Sequence, residues 1–365
     1  MVPGKQRAAT RGADHGHAAR LVRFTLLVVL GLTILWAWSW NRGALNFGID
    51  LAIPLRAADR VVAGVSPYQA SDFASAASLH PYLYPPPAAL LLVPATSVPR
   101  LALEVAWAAL LLAAALAALR VLDVPVIAWP FVLAWPPFLE PLMAGNVQIL
   151  LFAAFVALFY QWPRRPRDLH DCAAPPWRAG LLAIAIPALK IGQPHAWLYL
   201  LGRRPTAALV GLLAIVAIAL VTFPVVGASM WTGWFDQAHR AADPSWMLGG
   251  FALARLAPPV GLVVMLLSGA GALLYRGRHA GAVVGALTVI GAPSLYLSGT
   301  LMLVPALLLV RREVALVSAI LIATSTYAGA WAGILLAGGA LAGSYWWPEW
   351  LETNAALDEP QAPEN

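Results

Sequence analysis

Apolar runs of about 20 residues recur along this chain of 365 residues, and a run of that length can cross a lipid bilayer as an α-helix. Hydrophobic residues make up 61% of the sequence and charged residues 11%, whereas a soluble domain carries about 25% charged residues. The mean hydropathy is +0.74. In lipid, every backbone polar group needs an internal partner, which a helix provides. The sequence therefore predicts an all-α polytopic integral membrane protein, a bundle of about 10–12 transmembrane helices with an extracytoplasmic amphipathic segment.

The chain is predicted to hold a single transmembrane domain at 21–345, because no insert is long enough to form a soluble domain. Residues 1–20 are predicted to form a disordered cytoplasmic tail, and residues 346–365 an acidic extracytoplasmic tail. The first extracytoplasmic loop is predicted at 41–84. The single cysteine, Cys172, excludes an internal disulfide and a cysteine-based metal cluster.

A net charge of +6 and a pI near 9.8 are typical of nucleic-acid-binding proteins, but short basic cytoplasmic loops explain them better. Basic residues cluster between the apolar runs, at Arg120, Arg164, Arg165, Arg167, Arg178, Arg203, Arg204, Arg276, Arg278, Arg311 and Arg312. These clusters predict a multi-pass protein of the plasma membrane, with membrane lipids as partners and no nucleic acid.

The first extracytoplasmic loop is predicted to contain a short helix that lies on the membrane surface. Its apolar face consists of Leu51, Leu55, Ala58 and Val62. Pro54 is expected in the first turn, where proline is tolerated. Asp50 precedes this helix as a lone carboxylate in a polar stretch at the membrane surface.

Two apolar segments do not match full membrane crossings. Residues 88–98 are too few, and prolines bracket them. Residues 177–201 have basic residues at both ends and contain Lys190, Gly192 and Pro194 near the middle. We interpret the second segment as two short helices that meet at a turn carrying Lys190. The alternative is one long buried helix with a snorkelling lysine.

Charged side chains inside membrane segments cost roughly 2.5–3.5 kcal/mol on insertion scales, so they tend to mark function. Lys190 is the clearest example, and Arg255 lies early in a later span. Together they could hold an anion, preferably a phosphate or diphosphate. Glu140 lies in apolar surroundings between two prolines, and Glu104 is interpreted mainly as a partner of Arg100.

Three further polar residues, Tyr84, Asn146 and Gln148, are candidates for substrate contact. Asn146 and Gln148 could bind sugar hydroxyls or phosphate oxygens, or equally could cap the span that runs to Tyr160. Tyr84 precedes a stiff run of three prolines and could equally be an ordinary interfacial anchor. His195 is expected to be a packed or interfacial histidine and not a ligand.

The chain lacks the motifs of several enzyme classes. It has no Walker phosphate loop, no Rossmann glycine fingerprint, no His-Glu-x-x-His and no Gly-x-Ser-x-Gly nucleophile elbow. ATP is therefore not the expected energy source, and a preactivated lipid donor would remove the need for one.

The order of the polar features resembles glycosyltransferase family 87, the polyprenyl-phosphate-mannose-dependent mannosyltransferase-like proteins of the GT-C membrane class. In order, these features are Asp50, Ser66-Pro67-Tyr68, Tyr84-Pro85-Pro86-Pro87, Gly145-Asn146-Val147-Gln148, Lys190 with Pro194, and Ser245 with Gly249, Gly250 and Arg255. The resemblance extends from about residue 24 to residue 310, and it depends on order and spacing because no single motif is specific.

The resemblance implies an inverting glycosyltransferase that moves a hexose, expected to be mannose, from a polyprenyl-phosphate donor. The acceptor would be a glycolipid or glycan at the extracytoplasmic face. Asp50 would be the general base, Lys190 and Arg255 would bind the donor phosphate, and the substrate-binding residues would be Tyr84, Asn146, Gln148 and Ser245. No cofactor and no metal is expected, because fixed cations already pair with the leaving phosphate.

Two departures from the family pattern stand out. Lys190 and Pro194 are separated by one residue more than expected, and residues 293–300 lack a histidine that some relatives carry. Tyr296 could replace that histidine as a hydroxyl partner. The rival interpretations are a lipid-linked sugar transporter or flippase, for which no convincing inverted repeat is visible, and a non-catalytic protein that binds a lipid-linked sugar.

Overall fold

The computed structural model describes residues 48–73, 81–167, 169, 175–241, 250–253 and 257–344. Both predicted tails, Ser245 and Arg255 lie outside the described residues.

The described residues form 14 α-helices and one two-stranded sheet. The helices are α1 (Ile49–Val62), α2 (Pro86–Leu91), α3 (Arg100–Val121), α4 (Trp129–Ala134), α5 (Pro136–Ala144), α6 (Gln148–Phe159), α7 (Pro176–Leu189), α8 (His195–Arg203), α9 (Pro205–Ala241), α10 (Pro258–Leu274), α11 (Ala280–Ile290), α12 (Val304–Leu307), α13 (Arg312–Ala323) and α14 (Tyr327–Gly343). Short 3-10 helices are present at Ala70–Phe73, Val93–Ser97, Val126–Ala128 and Leu297–Leu303. Strands β1 (Tyr160–Gln161) and β2 (Arg165–Pro166) pair antiparallel.

Two of these helices have the length and composition of membrane spans. Within the described residues, α3 and α9 are each long and apolar enough to cross a bilayer, and α9 is interrupted at Gly227. The segment Val126–Ala134 and helix α5 form a pair bent by 69°, which would make a third span. The other apolar helices are shorter. These features confirm an all-α membrane protein, while the count of 10–12 spans and their orientation stay predictions.

The two segments that do not match full membrane crossings both form short helices. Residues 88–98 fall in α2 and the 3-10 helix that follows it. Helix α7 ends at Leu189 and α8 begins at His195, so Lys190 lies directly at the break. The two-helix interpretation of residues 177–201 is therefore confirmed, and the single long helix is wrong.

The main core is a tightly packed interior of α3, α6, α7, α8, α11 and the 3-10 helix Leu297–Leu303. Tilted aromatic rings pack against one another within it, with the Phe155 and Phe159 centroids 4.7 Å apart and the Phe159 centroid 5.3 Å from that of Tyr199. Helices α7 and α9 cross so closely that a Cβ on Gly180 would overlap the carbonyl oxygen of Ala207. This packing fixes α7, and with it the break that carries Lys190.

Helix α1 packs outside this core, against α2, α5 and the 3-10 helix Val93–Ser97. Its predicted apolar face is buried at Leu51, Leu55 and Ala58. Val62 is 62% exposed, because it is the last helical residue and the covered face ends before it. Pro54 lies inside the helix and not in its first turn, because the helix begins earlier, at Ile49. Asp50 is therefore a residue of the first helical turn and not of the preceding stretch.

Candidate active site

A contact between two backbone turns holds Asp50 in place. Gly48 precedes α1 with φ 70° and donates its N–H to the carbonyl of Met143 at 2.9 Å. Gly145 caps α5 with φ 74°, and a Cβ there would lie 3.3 Å from the Cβ of Leu51. Glycine is required at this position both for its backbone conformation and for the space it leaves. The first turn of α1 therefore lies against the end of α5, with the Asp50 carboxylate near the positive end of the α1 dipole.

Asn146 follows directly after this glycine and contacts Asp50. Its side-chain Nδ2 donates to Oδ2 of Asp50 at 2.7 Å. Its Oδ1 accepts the backbone N–H of Gln148 at 2.8 Å, at the start of α6. The capping interpretation of Asn146 is therefore supported, since its Oδ1 accepts a backbone N–H at the start of α6. Contact with a substrate stays a prediction, and the other end of the amide faces the candidate base.

Lys190 brings a cation to the same place from the break between α7 and α8. Its ammonium lies within electrostatic range of Asp50 and of Glu140. Its carbonyl accepts the N–H of Gln193 at 2.9 Å, which closes the turn. The side chains of Asp50, Glu140 and Lys190 are all half-buried. Two carboxylates and one ammonium therefore lie close together, and we call their common location the recess.

Glu140 is a member of this group to which the sequence interpretation gave no role. It projects from α5, and its Oε2 accepts the backbone N–H of Ser298 at 2.9 Å. Its charge acts on both Asp50 and Lys190. The signal in the sequence was present, since Glu140 is a charged residue in apolar surroundings. What the sequence did not indicate was its proximity to a residue 90 positions earlier.

A buried amide pair lies behind the recess. Gln148 is fully buried and Gln193 is 4% exposed. Each side chain donates to the other, at 3.3 and 3.4 Å. The pair joins the start of α6 to the turn that carries Lys190. Substrate contact by Gln148 stays a prediction. Nothing in the sequence singles out Gln193, because its role depends on a partner 45 positions away.

Tyr84 completes the group from the segment that directly precedes α2. Its carbonyl accepts the Tyr68 hydroxyl at 2.8 Å, and its ring centroid lies 5.6 Å from that of Tyr82. The Trp234 indole donates to the carbonyl of Leu83 at 3.0 Å. Burial, together with the negative charge of Asp50, raises the pKa of the Tyr84 hydroxyl far above its ordinary value. The hydroxyl therefore keeps its proton and can act as a hydrogen-bond donor.

An ion pair anchors the loop that follows α1 to that helix. Arg60 donates two hydrogen bonds to Asp72, at 2.6 and 2.9 Å, and a third to the carbonyl of Pro67 at 3.1 Å. The hydrogen bond with Asp72 raises the pKa of Arg60 above its ordinary value. Arg56 lies 3.8 Å from the same carboxylate. The loop that leads to Tyr84 is thereby tied to the helix that carries Asp50.

Other predicted residues lie elsewhere. Glu104 pairs with Arg100 at 2.6 Å, as predicted. His195 is fully buried and lies 2.9 Å from the Ser268 hydroxyl, which confirms a packed histidine. Tyr296 is 38% exposed, next to the 3-10 helix whose Ser298 contacts Glu140.

Neither Arg255 nor Ser245, both predicted for this site, falls within the described residues. Among the residues that the structure does describe, no group of three or more His, Cys, Asp or Glu side chains could hold a metal ion. The expected independence from metal stays a prediction.

The site thus consists of two carboxylates, a protonated tyrosine, an amide and a cation at the broken helices of an all-α membrane protein. A sequence model of glycosyltransferase family 87 matches residues 82–289, which is more than half of the chain. The chain belongs to glycosyltransferase family 87. The matched segment contains Tyr84, Asn146 and Lys190, while Asp50 precedes it. No curated protein and no solved structure matches the chain.

Proposed function

We propose that the protein transfers a hexose, preferably mannose, from a polyprenyl-phosphate donor to a glycolipid or glycan acceptor, with inversion at the anomeric carbon. The reaction takes place at the extracytoplasmic face of the plasma membrane. Membership of family 87 supports glycosyl transfer. The observation that carries the finer proposal is the meeting of Asp50, Tyr84, Asn146 and Lys190, which come from four separate segments of the chain.

Asp50 acts as the general base in this proposal. One of its carboxylate oxygens takes the proton from an acceptor hydroxyl. At the same time, the oxygen of that hydroxyl forms a bond to the anomeric carbon. The bond from the anomeric carbon to the phosphate oxygen breaks at the same time. The polyprenyl phosphate leaves with the electron pair, and a single displacement inverts the configuration.

Lys190 stabilises the leaving phosphate by charge and hydrogen bonding. With both carboxylates ionised, Asp50, Glu140 and Lys190 carry one excess negative charge, and a second cation would then favour the binding of an anionic phosphate. Arg255 is the residue proposed for that role. Tyr84 donates its retained proton to a sugar or phosphate oxygen. Ser245 contributes a further substrate contact, and no metal takes part.

A transfer assay with a defined donor tests the base. The protein is purified in detergent and given farnesyl-phosphate [¹⁴C]mannose with a lipid extract of its native cells, and labelled product lipid is counted. Asp50→Asn is expected to lower kcat by at least about 100-fold, the usual contribution of a general base. An Asp50→Asn rate equal to that of the wild type would rule out Asp50 as the base.

Inhibition by farnesyl phosphate tests the phosphate site separately. Lys190→Met is expected to weaken inhibition by farnesyl phosphate while leaving inhibition by uncharged farnesol unchanged. Arg312→Met is a matched control, because Arg312 is an exposed cation at the start of α13. Equal farnesyl phosphate inhibition of the Lys190 variant and the wild type would refute the phosphate role.

A further inference from the structure

Asn146 is held in one orientation by the backbone. A backbone N–H can only donate, so the amide atom that faces the N–H of Gln148 at 2.8 Å is the oxygen. The amide nitrogen must then point the other way, toward Oδ2 of Asp50 at 2.7 Å. The short distance is typical of a hydrogen bond to a charged acceptor.

The surroundings of Asn146 leave it little freedom to turn. Its own backbone N–H donates to the carbonyl of Pro141 at 2.8 Å, across the αL turn at Gly145. The indole of Trp107 donates to the carbonyl of Gly145 at 2.8 Å. The amide is thus fixed from behind by the end of α5 and ahead by the start of α6.

We propose that Asn146 is a positioning residue for Asp50, whose carboxylate it orients and whose ionised form it stabilises. This inference rests on the proposed function, in which Asp50 is the base. When one oxygen of a carboxylate accepts a hydrogen bond from a fixed amide, the orientation of the carboxylate plane is fixed as well. The acceptor hydroxyl then meets the carboxylate in one defined orientation. Hydrogen bonding to the ionised form favours that form.

Among the described residues, Lys190, Glu140 and Tyr84 also act on the Asp50 carboxylate by charge or dipole. Lys190 favours its ionised form, while Glu140 opposes it. Tyr84 is neutral, and toward a carboxylate its hydroxyl acts as the donor. Because two carboxylates and one ammonium share the recess, the amide of Asn146 helps to keep Asp50 ionised beside Glu140. Its loss is therefore expected to change the pH at which the base becomes active.

The test is the pH profile of kcat/KM in the transfer assay with farnesyl-phosphate mannose. Asn146→Leu removes the donor at similar volume. It is expected to lower kcat/KM about ten-fold at neutral pH and to move the acid-limb midpoint upward by about one pH unit. The KM for the donor is expected to change less than about two-fold, since the amide acts on the base and not on the phosphate.

Asn146→Asp has the same shape and keeps the acceptor for Gln148, but it places a carboxylate against Asp50. Asn146→Asp is expected to move the acid-limb midpoint further upward than Asn146→Leu does. If Asn146→Leu does not fold, Asn146→Asp provides the test. Thr288→Val is the matched control, because it removes a buried side-chain hydrogen bond in α11, outside the recess. Its pH profile is expected to be that of the wild type.

The outcomes separate the two proposals. An upward midpoint shift in the Asn146 variants supports the positioning role. A uniform loss at every pH with an unmoved midpoint, or no loss at all, overturns it. Asp50→Asn is measured alongside, because full activity in that variant defeats the base assignment itself. An inactive Asp50→Asn together with unmoved Asn146 variants defeats the positioning role alone.

Discussion

The ion pair between Asp72 and Arg60 ties the loop that follows α1 to that helix. Removal of the Asp72 charge tests how much this pair contributes to stability. Asp72 is 6% exposed and accepts hydrogen bonds from Arg60 at 2.6 and 2.9 Å. Arg56 faces the same carboxylate at 3.8 Å. Asp72→Asn keeps the shape of the side chain but leaves two guanidinium groups without the charge that they face.

The expected loss of stability follows from the burial of Asp72, Arg56 and Arg60. Removing one partner of a fully buried ion pair costs about 3–5 kcal/mol, whereas an exposed pair contributes about 0–1 kcal/mol. Here the carboxylate is buried, but the side chains of Arg56 and Arg60 are 26% and 23% exposed, so water screens part of the charge. We expect Asp72→Asn to lower the free energy of unfolding by about 2 kcal/mol, between those limits.

Unfolding in detergent with increasing dodecyl sulfate measures this loss. Glu104→Gln is the control, because Glu104 pairs with Arg100 at the same 2.6 Å but the two side chains are 21% and 46% exposed. The control is expected to lose less than about 1 kcal/mol. Equal destabilisation by the two substitutions would show that burial does not determine the strength of the Asp72 pair.

Two further substitutions test the contacts around the recess. Gly145→Ala places a Cβ 3.3 Å from that of Leu51 at φ 74°, and it is expected to destabilise the fold by about 2 kcal/mol. The control Gly339→Ala, at a helical position with open space, is expected to be neutral or stabilising. Equal unfolding midpoints for the two variants would contradict this prediction. Gln148→Leu and Gln193→Leu each leave one buried amide unpaired, which is expected to lower the free energy of unfolding by about 1–3 kcal/mol. The double variant is expected to lose less stability than the sum of the two single variants. Additive losses in a double-mutant cycle would contradict the pairing.

Local patterns predicted the parts of the fold that depend on local physics. The apolar spacing in α1 identified the side that is buried at Leu51 and Leu55. Glycine and proline within an apolar run indicated the break at Lys190. The start of α1 was misjudged, because the tolerance of proline in a first turn suggested a later beginning than Ile49. Packing of the first turn against α5 outweighs that preference.

The contacts that make the site were not predictable in the same way. Asp50 and Asn146 are 96 positions apart, and Gln148 and Gln193 are 45 apart. No periodicity or spacing in one sequence specifies which distant polar residues will meet. The ordering of motifs indicated a shared site through resemblance alone. Glu140, which resemblance did not single out, was therefore left without a role.

The separation of Asp50 from Asn146 also has a consequence for biosynthesis. A ribosome adds about 5–20 residues per second, so roughly 5–20 s pass between the synthesis of the base and that of its amide partner. During that interval α1 has neither α5 nor the turn at Gly145 to pack against. If α1 lies on the bilayer surface, as the sequence predicts, lipid would cover its apolar side in the meantime. The amphipathic character of α1 would then matter during assembly as well as in the finished protein.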